Sequence, residues 1–314
     1  MNERVSPVFP PSPWPAQAKQ AARQTTVKSW LEGMMYLFPS LLLFGIFLFY
    51  PLARTLYLSV FHTDYQGKPT EFAGLAHFAA LFQDETFWHS VKTTFLFAAL
   101  TVPATIVISF GLALLVHEKR KGIGIFRTFF ASTMGMSVAA ASVIWMFMYN
   151  PAIGIINRLL STTGLASVSW LLDPDTALYA VAIATIWMNI GFTFLLLLAG
   201  LQNIDPSLYE SARIAGFSYW RQLWTVTVPL LSPTLFFVTT VSLIQALQTF
   251  GQIDFLTKGG PVDATNVFVY AIYREAFVNY QFGFASAQAI VLFLIIAVIT
   301  FLQFRFAERK VHYQ

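Results

Sequence analysis

Six long apolar stretches govern what this chain can become. They run from Met34 to Val60, Val91 to Val116, Phe126 to Tyr149, Ala177 to Leu201, Val226 to Phe250 and Phe284 to Phe306. Each supplies the roughly 20 helical residues needed to cross a bilayer core about 30 Å thick. Only 11% of the 314 residues are charged, whereas an ordinary soluble domain carries about 25%. The apolar residues come in blocks and not at alternating or 3.6-residue spacing, which is the pattern of spanning helices. The expected fold is all-α, with six transmembrane helices in one membrane domain over 34–306. Pro39, Pro51 and Pro103 lie in or near the first two stretches and predict kinks, since neighbouring helices can satisfy the freed carbonyls.

The direction of insertion follows from the basic residues. With the N-terminus inside, the cytoplasmic parts hold about 13 of the 19 Lys and Arg residues. The strongest local contribution is Lys119, Arg120, Lys121 and Arg127, and Arg305, Arg309 and Lys310 close the chain; this bias places both termini in the cytoplasm. Residues 1–33 are polar and rich in proline, and are expected to form a disordered cytoplasmic tail. They lack the short apolar core and cleavage site of a signal peptide. Residues 307–314 are expected to form a second cytoplasmic tail.

Composition also excludes chemistry. The chain has no cysteine, so thiolate metal sites, iron–sulfur clusters and cysteine nucleophiles are ruled out. Its five histidines, at 62, 77, 89, 117 and 312, show no metal-ligand spacing. No nucleophile elbow appears, and Gly122-Ile-Gly124 lacks the third glycine and the preceding strand of a nucleotide loop. No catalytic residue, metal, cofactor or nucleic-acid partner is expected.

The loop between the fourth and fifth stretches, over 202–228, reads as helix, turn and helix. Asp205 suits an N-cap with Pro206 at the first helical position, Gly216 supplies a left-handed residue to end the helix, and Ser218 can cap the next. Pro229 is expected to mark the entry to the fifth span. A short helix held at the membrane surface can be moved by a partner and pass that motion into the spans it joins.

In these residues the loop resembles the coupling (EAA) loop of ABC importer permeases. Glu210, Ala212 and Gly216 match its pattern, as does the exit Thr-Val-Pro-Leu-Leu-Ser-Pro through Pro229 to Pro233. Ser211 replaces the usual alanine, Ala215 stands where the family often has aspartate, and Phe217 where a small residue is common. Further matches are Tyr50-Pro51, Phe72-Ala-Gly-Leu75, Gly124-Ile-Phe-Arg127, Asn150-Pro151, Ala199-Gly-Leu-Gln202, Gly259-Gly260-Pro261 and the segment from Ile272 to Phe277. Together they resemble the carbohydrate-uptake branch, which includes maltose and glycerol-3-phosphate importers.

The resemblance implies a type I ABC importer permease fold. It also implies a second, homologous but different permease subunit, two ATP-binding subunits and an extracytoplasmic solute-binding protein, in a bacterial inner membrane. In the family the coupling loop docks on the ATPase, which assigns Glu210, Ser211, Ala212, Gly216 and Pro229 to that contact. The chain has no Gly-x-x-x-x-Gly-Lys-Ser/Thr phosphate loop, so ATP hydrolysis falls to a separate chain. The implied solute is a sugar, oligosaccharide or polyol, with sn-glycerol-3-phosphate among the candidates.

Polar side chains inside spans face a cavity or another helix, because exposing them to lipid is costly. Ser242, Gln245, Thr249 and Gln252 are expected on one face of the fifth span, with Gln248 at its edge. Thr185, Asn189 and Thr193 recur at four-residue spacing in the fourth. Amides and hydroxyls donate and accept hydrogen bonds, as a neutral polyol requires. Trp187 and Phe250 can stack on a sugar face, and the alternative role of all these groups is to hold helices together. No Lys or Arg lies deep in a span, which tilts the path toward neutral solutes; Arg54 sits near the outer end of the first. The rival reading is an ion-coupled transporter or channel, which usually needs a carboxylate inside the membrane; none is found in a span core.

Overall fold

The computed structural model describes residues 30, 32–118 and 121–307. The tails expected over 1–33 and 307–314 fall almost wholly outside the described residues, as do Lys119 and Arg120. The chain divides after Thr55 into two compact units. The first contains most of helix α1 (Glu32–Leu58). Within α1 the residues Gly45–Phe49 form a π turn, closed by the Tyr50 amide on the Gly45 carbonyl. Pro51 follows, and a proline both lacks an N–H and crowds the carbonyl four residues back, so the turn ahead of it widens.

The second unit is a helical bundle. Its long apolar helices are α3 (Glu85–Val116), α7 (Pro174–Gln202), α9 (Tyr219–Leu247) and α12 (Phe282–Ala307). The third expected span consists of two helices, α4 (Ile123–Ala131, extended by a 3-10 turn to Gly135) and α5 (Val138–Met148), bent by 102°. Shorter helices are α2 (Ala76–Gln83), α6 (Ile155–Thr162), α8 (Pro206–Ile214), α10 (Gly251–Leu256) and α11 (Phe268–Tyr273).

The all-α expectation meets one exception. Strands β1 (Phe61–Thr63) and β2 (Pro69–Phe72) pair antiparallel, with Phe61 opposite Phe72. The Asp64 carboxylate accepts the amides of Gln66 and Lys68 at 2.9 and 2.8 Å, a local Asx arrangement that reverses the chain.

Element starts are set by side-chain caps that hydropathy does not register. Asp84 accepts from the Thr86 amide, so α3 begins at Glu85 and not at Val91. Asp173 accepts from the Asp175 amide, with Pro174 at the first helical position, which moves the start of α7 ahead of Ala177. Ser218 accepts from the Arg221 amide and starts α9 at Tyr219, so Pro229 lies well inside that helix. There it plays the part of Pro51: the π turn Leu223–Thr227 precedes it, with the Val228 amide on the Leu223 carbonyl.

The break in the third span is fixed by contact with α7. The Gly191 amide donates to the Thr133 hydroxyl at 3.0 Å. A Cβ at Gly191 would stand 2.6 Å from Thr133 Oγ1 and 2.9 Å from the Met134 nitrogen, so only glycine allows this approach. The longest helix–helix seam joins α3 to α7. Thr101, Thr105 and Ser109 are buried on α3 at four-residue spacing, and Ser109 donates to the Ile190 carbonyl of α7. Small hydroxyl residues let membrane helices approach closely. Apolar packing completes the bundle, with Phe194, Leu197, Leu201, Leu231 and Val238 at the end that carries the 202–228 loop, and Phe97, Val181, Ile253 and Tyr270 toward the other.

Candidate functional site

The 202–228 loop folds as its residues dictate. Asp205 accepts from the Ser207 amide, and hydrogen bonds from the Ser207 amide and then its hydroxyl hold the carboxyl below its ordinary range. Pro206 opens α8, and Gly216 ends it at φ +74°. The Phe217 amide reaches the Ala212 carbonyl at 2.9 Å and the Gly216 amide reaches Arg213 at 3.0 Å, the two bonds of a Schellman cap. No neighbouring atom would meet a Cβ at Gly216, so the positive φ alone demands glycine.

The loop is braced on its inner side. Ala212 is buried, whereas Glu210, Ser211 and Arg213 are exposed. The Tyr209 hydroxyl lies 3.2 Å from that of Thr227, tying α8 to the π turn of α9. The Gln222 amide donates to the Phe217 carbonyl at 2.9 Å, and the Arg221 guanidinium sits 4.1 Å over the Phe217 ring. The bulky residue after the glycine thus serves as a platform for a cation. Glu210, Arg213, His117 and Gln202 line a cavity of about 670 Å³ between the ends of α3, α7, α8 and α9. On the outer side Ile214 is 89% exposed, an apolar side chain presented to a partner or solvent.

Arg127 has a role that its place in a basic run concealed. From α4 it donates to the Val116 carbonyl through Nε and Nη2 at 3.0 and 2.6 Å, and to His117 at 3.2 Å. The side-chain oxygen of Gln202, the last residue of α7, accepts from both Nη atoms at 3.0 and 3.2 Å. One guanidinium therefore caps α3 and fastens it to α7 at the root of the loop. A basic side chain close to a helix C-terminus in sequence was the available signal.

The expected solute path is only partly one surface. The helix α9 ends at Leu247, so Thr249 and Gln252 do not continue the face that carries Ser242 and Gln245. The chain breaks at Gln248 and Phe250 and resumes as α10 at Gly251, which packs so tightly on Val138 that a Cβ would come within 2.8 Å. The break itself gathers Gln245, Gln248, Thr249, Phe250 and Gln252 around Asn189 in an open pocket of about 340 Å³. No charged side chain lines it.

The remaining polar residues are divided. Ser242 lines a narrow crevice with Thr101, Thr105, Thr185 and Asn189. Thr185 and Thr249 return their hydroxyls to the Val181 and Gln245 carbonyls, and Thr193 is buried outside both pockets. Phe250 lines the pocket, while Trp187 stands edge-on to Trp145, with ring centres 5.9 Å apart. Arg54 contacts Tyr50 within its own helix at 3.4 Å.

Residues 21–313 match the family model described as the binding-protein-dependent transport system inner membrane component. The chain belongs to this family. It is therefore a multi-pass inner-membrane permease of a binding-protein-dependent ABC importer, a transport subunit and not an enzyme. Among its relatives is the sn-glycerol-3-phosphate transport system permease protein UgpA of Agrobacterium fabrum, 39% identical over 88% of this chain and 94% of that protein. UgpA of Yersinia pestis is 37% identical over 91% of this chain and 97% of that protein. The fold matches a chain of the bacterial alginate ABC transporter in complex with an alginate pentasaccharide-bound periplasmic protein, with a TM-score of 0.79 and 25% identity over 91% of this chain and 96% of that one.

Proposed function

We propose that this permease passes a carbohydrate-class solute, and that its path runs over the amide pocket formed by Asn189, Gln245, Gln248 and Gln252. One observation carries the reading: four carboxamide side chains surround one open pocket that no charge lines, with Asn189 midway along a spanning helix. Carboxamides supply donors and acceptors in equal measure, as the hydroxyls of a sugar require. An open polar pocket at this level is costly against lipid, so a second permease subunit covers it in the assembled importer. The relatives that transport sn-glycerol-3-phosphate and the alginate importer support a carbohydrate-class cargo.

The coupling contact lies at the other end of the bundle. Glu210, Ser211 and Gly216 form the surface offered to an ATP-binding subunit, Ala212 packs beneath it and seats the helix, and Pro229, through its π turn, links that surface to α9. Both termini face the cytoplasm in this arrangement, which suits the basic residues near the loop, and an extracytoplasmic binding protein delivers solute at the hairpin end. The test is to tag the chain, solubilise membranes in mild detergent and identify the proteins that co-purify, with and without Glu210→Ala and Gly216→Pro. An ATPase and a second six-span permease are expected, with the ATPase lost in the variants. Recovery of the chain alone, or only with itself, would overturn the reading.

A further inference from the structure

The amide pocket is one end of a chain of aromatic rings. Phe250, which lines the pocket, lies stacked on Tyr270 with ring centres 5.9 Å apart and meets Tyr273 edge to face at 5.0 Å. Tyr273 meets Phe277 in a tilted contact at 5.4 Å, and Phe277 meets Phe282 edge to face at 6.2 Å, so successive rings turn their faces in different directions. Phe282 begins α12, and the adjoining residues Tyr280, Gln281 and Gly283 line a second cavity of about 430 Å³ with His62, Asp64 and Tyr65 of the hairpin. The rings are not sealed in a core. Phe277 is 61% exposed, and Phe250, Tyr273 and Phe282 are half-buried.

The segment that carries the ladder is held in place. Tyr273 ends α11 and Phe277 lies in the π turn Arg274–Val278 that follows, a geometry frequent at functional sites, here with no proline behind it. Arg274, between the two rings in sequence, pairs with Asp263 of the loop before α11. The Gln281 amide then returns to the Glu275 carbonyl at 2.8 Å.

We infer that Phe282, Phe277, Tyr273 and Phe250 form a stacking track along which a solute with a pyranose ring passes from the hairpin cavity to the amide pocket. The faces of aromatic rings are electron-rich and attract the C–H bonds that cover one face of a pyranose. Rings spaced by about 5 to 6 Å match the length of one sugar unit, so a ring can reach the next platform before leaving the last. An acyclic polyol phosphate has no such face, and Arg274, next to Tyr273 in the chain, is paired with Asp263. The track therefore selects ring sugars over sn-glycerol-3-phosphate, which deepens the carbohydrate reading above and rests on it.

The test uses the assembled importer in proteoliposomes with its binding protein. The labelled probes are glucose, maltose, trehalose and sn-glycerol-3-phosphate. Uptake of at least one ring sugar is expected. Tyr273→Leu and Phe277→Leu should each raise its KM about five- to tenfold, the scale of a lost aromatic contact. The ATPase activity stimulated by the binding protein, and subunit assembly, should be unchanged, and Tyr273→Phe should behave as wild type. Uptake of none of the ring sugars, or Leu variants with the wild-type KM, would overturn the track. Rings that serve only as a lipid-facing belt would alter assembly and leave KM alone, which also overturns it. Loss of ATPase coupling in the wild-type complex would instead count against the permease reading itself.

Discussion

Arg127 donates through Nη2 to the carbonyl of Val116 at 2.6 Å, and this contact joins the start of the broken third span to the end of the second. The same guanidinium holds Gln202, so three spans meet at one side chain beside the 202–228 loop. Hydrogen bonds to a charged group contribute about 1.5–3 kcal/mol. Arg127→Met is expected to lower the stability of the purified chain by about 2 kcal/mol, read by thermal unfolding in detergent. Arg127→Lys should recover only part, because an ammonium cannot span Val116 and Gln202 as a planar fork does.

Gly216 is required by its backbone and not by space, since nothing crowds a Cβ there. Gly216→Val is expected to weaken the loop by about 1–2 kcal/mol, seen as faster hydrogen exchange over 206–222. Gly216→Asn should cost less, because asparagine tolerates the left-handed region. Equal protection in both variants would refute the cap argument.

Gly191 presents the opposite case, an ordinary helical glycine whose Cβ would meet Thr133 at 2.6 Å. Gly191→Leu is expected to push α7 off the bend and cost about 1–3 kcal/mol by overpacking. Gly191→Ala should fall between it and wild type in unfolding temperature.

The roles proposed for the amide pocket and for the 202–228 loop are separable by mutation. Asn189→Ala and Gln245→Ala are expected to reduce solute uptake about tenfold or more, the loss of one to two well-made hydrogen bonds in the path. Recovery of the ATPase and partner permease with the variant chain should stay at wild-type levels. Normal uptake in both variants would remove the pocket from the path.

His62 and His77, distant in kind from any metal motif, pack edge to face with ring centres 4.8 Å apart. Burial, with a further contribution from His62, sets the His77 pKa below its ordinary value, while the bond to the Phe61 carbonyl opposes the shift. A histidine depressed in the folded state stabilises the fold fully above its unfolded pKa, about 6.5. That contribution is lost as pH falls below this value and through the folded pKa. The protection factors of residues 58–78, corrected for the intrinsic exchange rate at each pH, are expected to fall between about pH 7 and pH 5, and His77→Gln should flatten the profile.

The 202–228 loop was legible residue by residue. Asp205, Pro206, Gly216 and Ser218 act through bonds to near neighbours, so their effect is written in local order. The spans were legible as elements but not at their edges, because Asp84, Asp173 and Ser218 set helix starts through a single cap that an average of hydropathy passes over. Pro229 was read as a boundary, when the chain absorbs it in a π turn. The polar face of the fifth span was misread where α9 was extended past Leu247, since a helical period holds only while the helix lasts.

Sequence by itself determined the membrane fold, the family and the caps of the 202–228 loop, because burial in lipid and capping depend on composition and short-range order. Tertiary structure alone decided the 102° bend stapled at Gly191, the clamp made by Arg127, and the meeting of Asn189 with Gln252. Each of these joins residues far apart in the chain, and their contact depends on how helices pack, which no local spacing encodes.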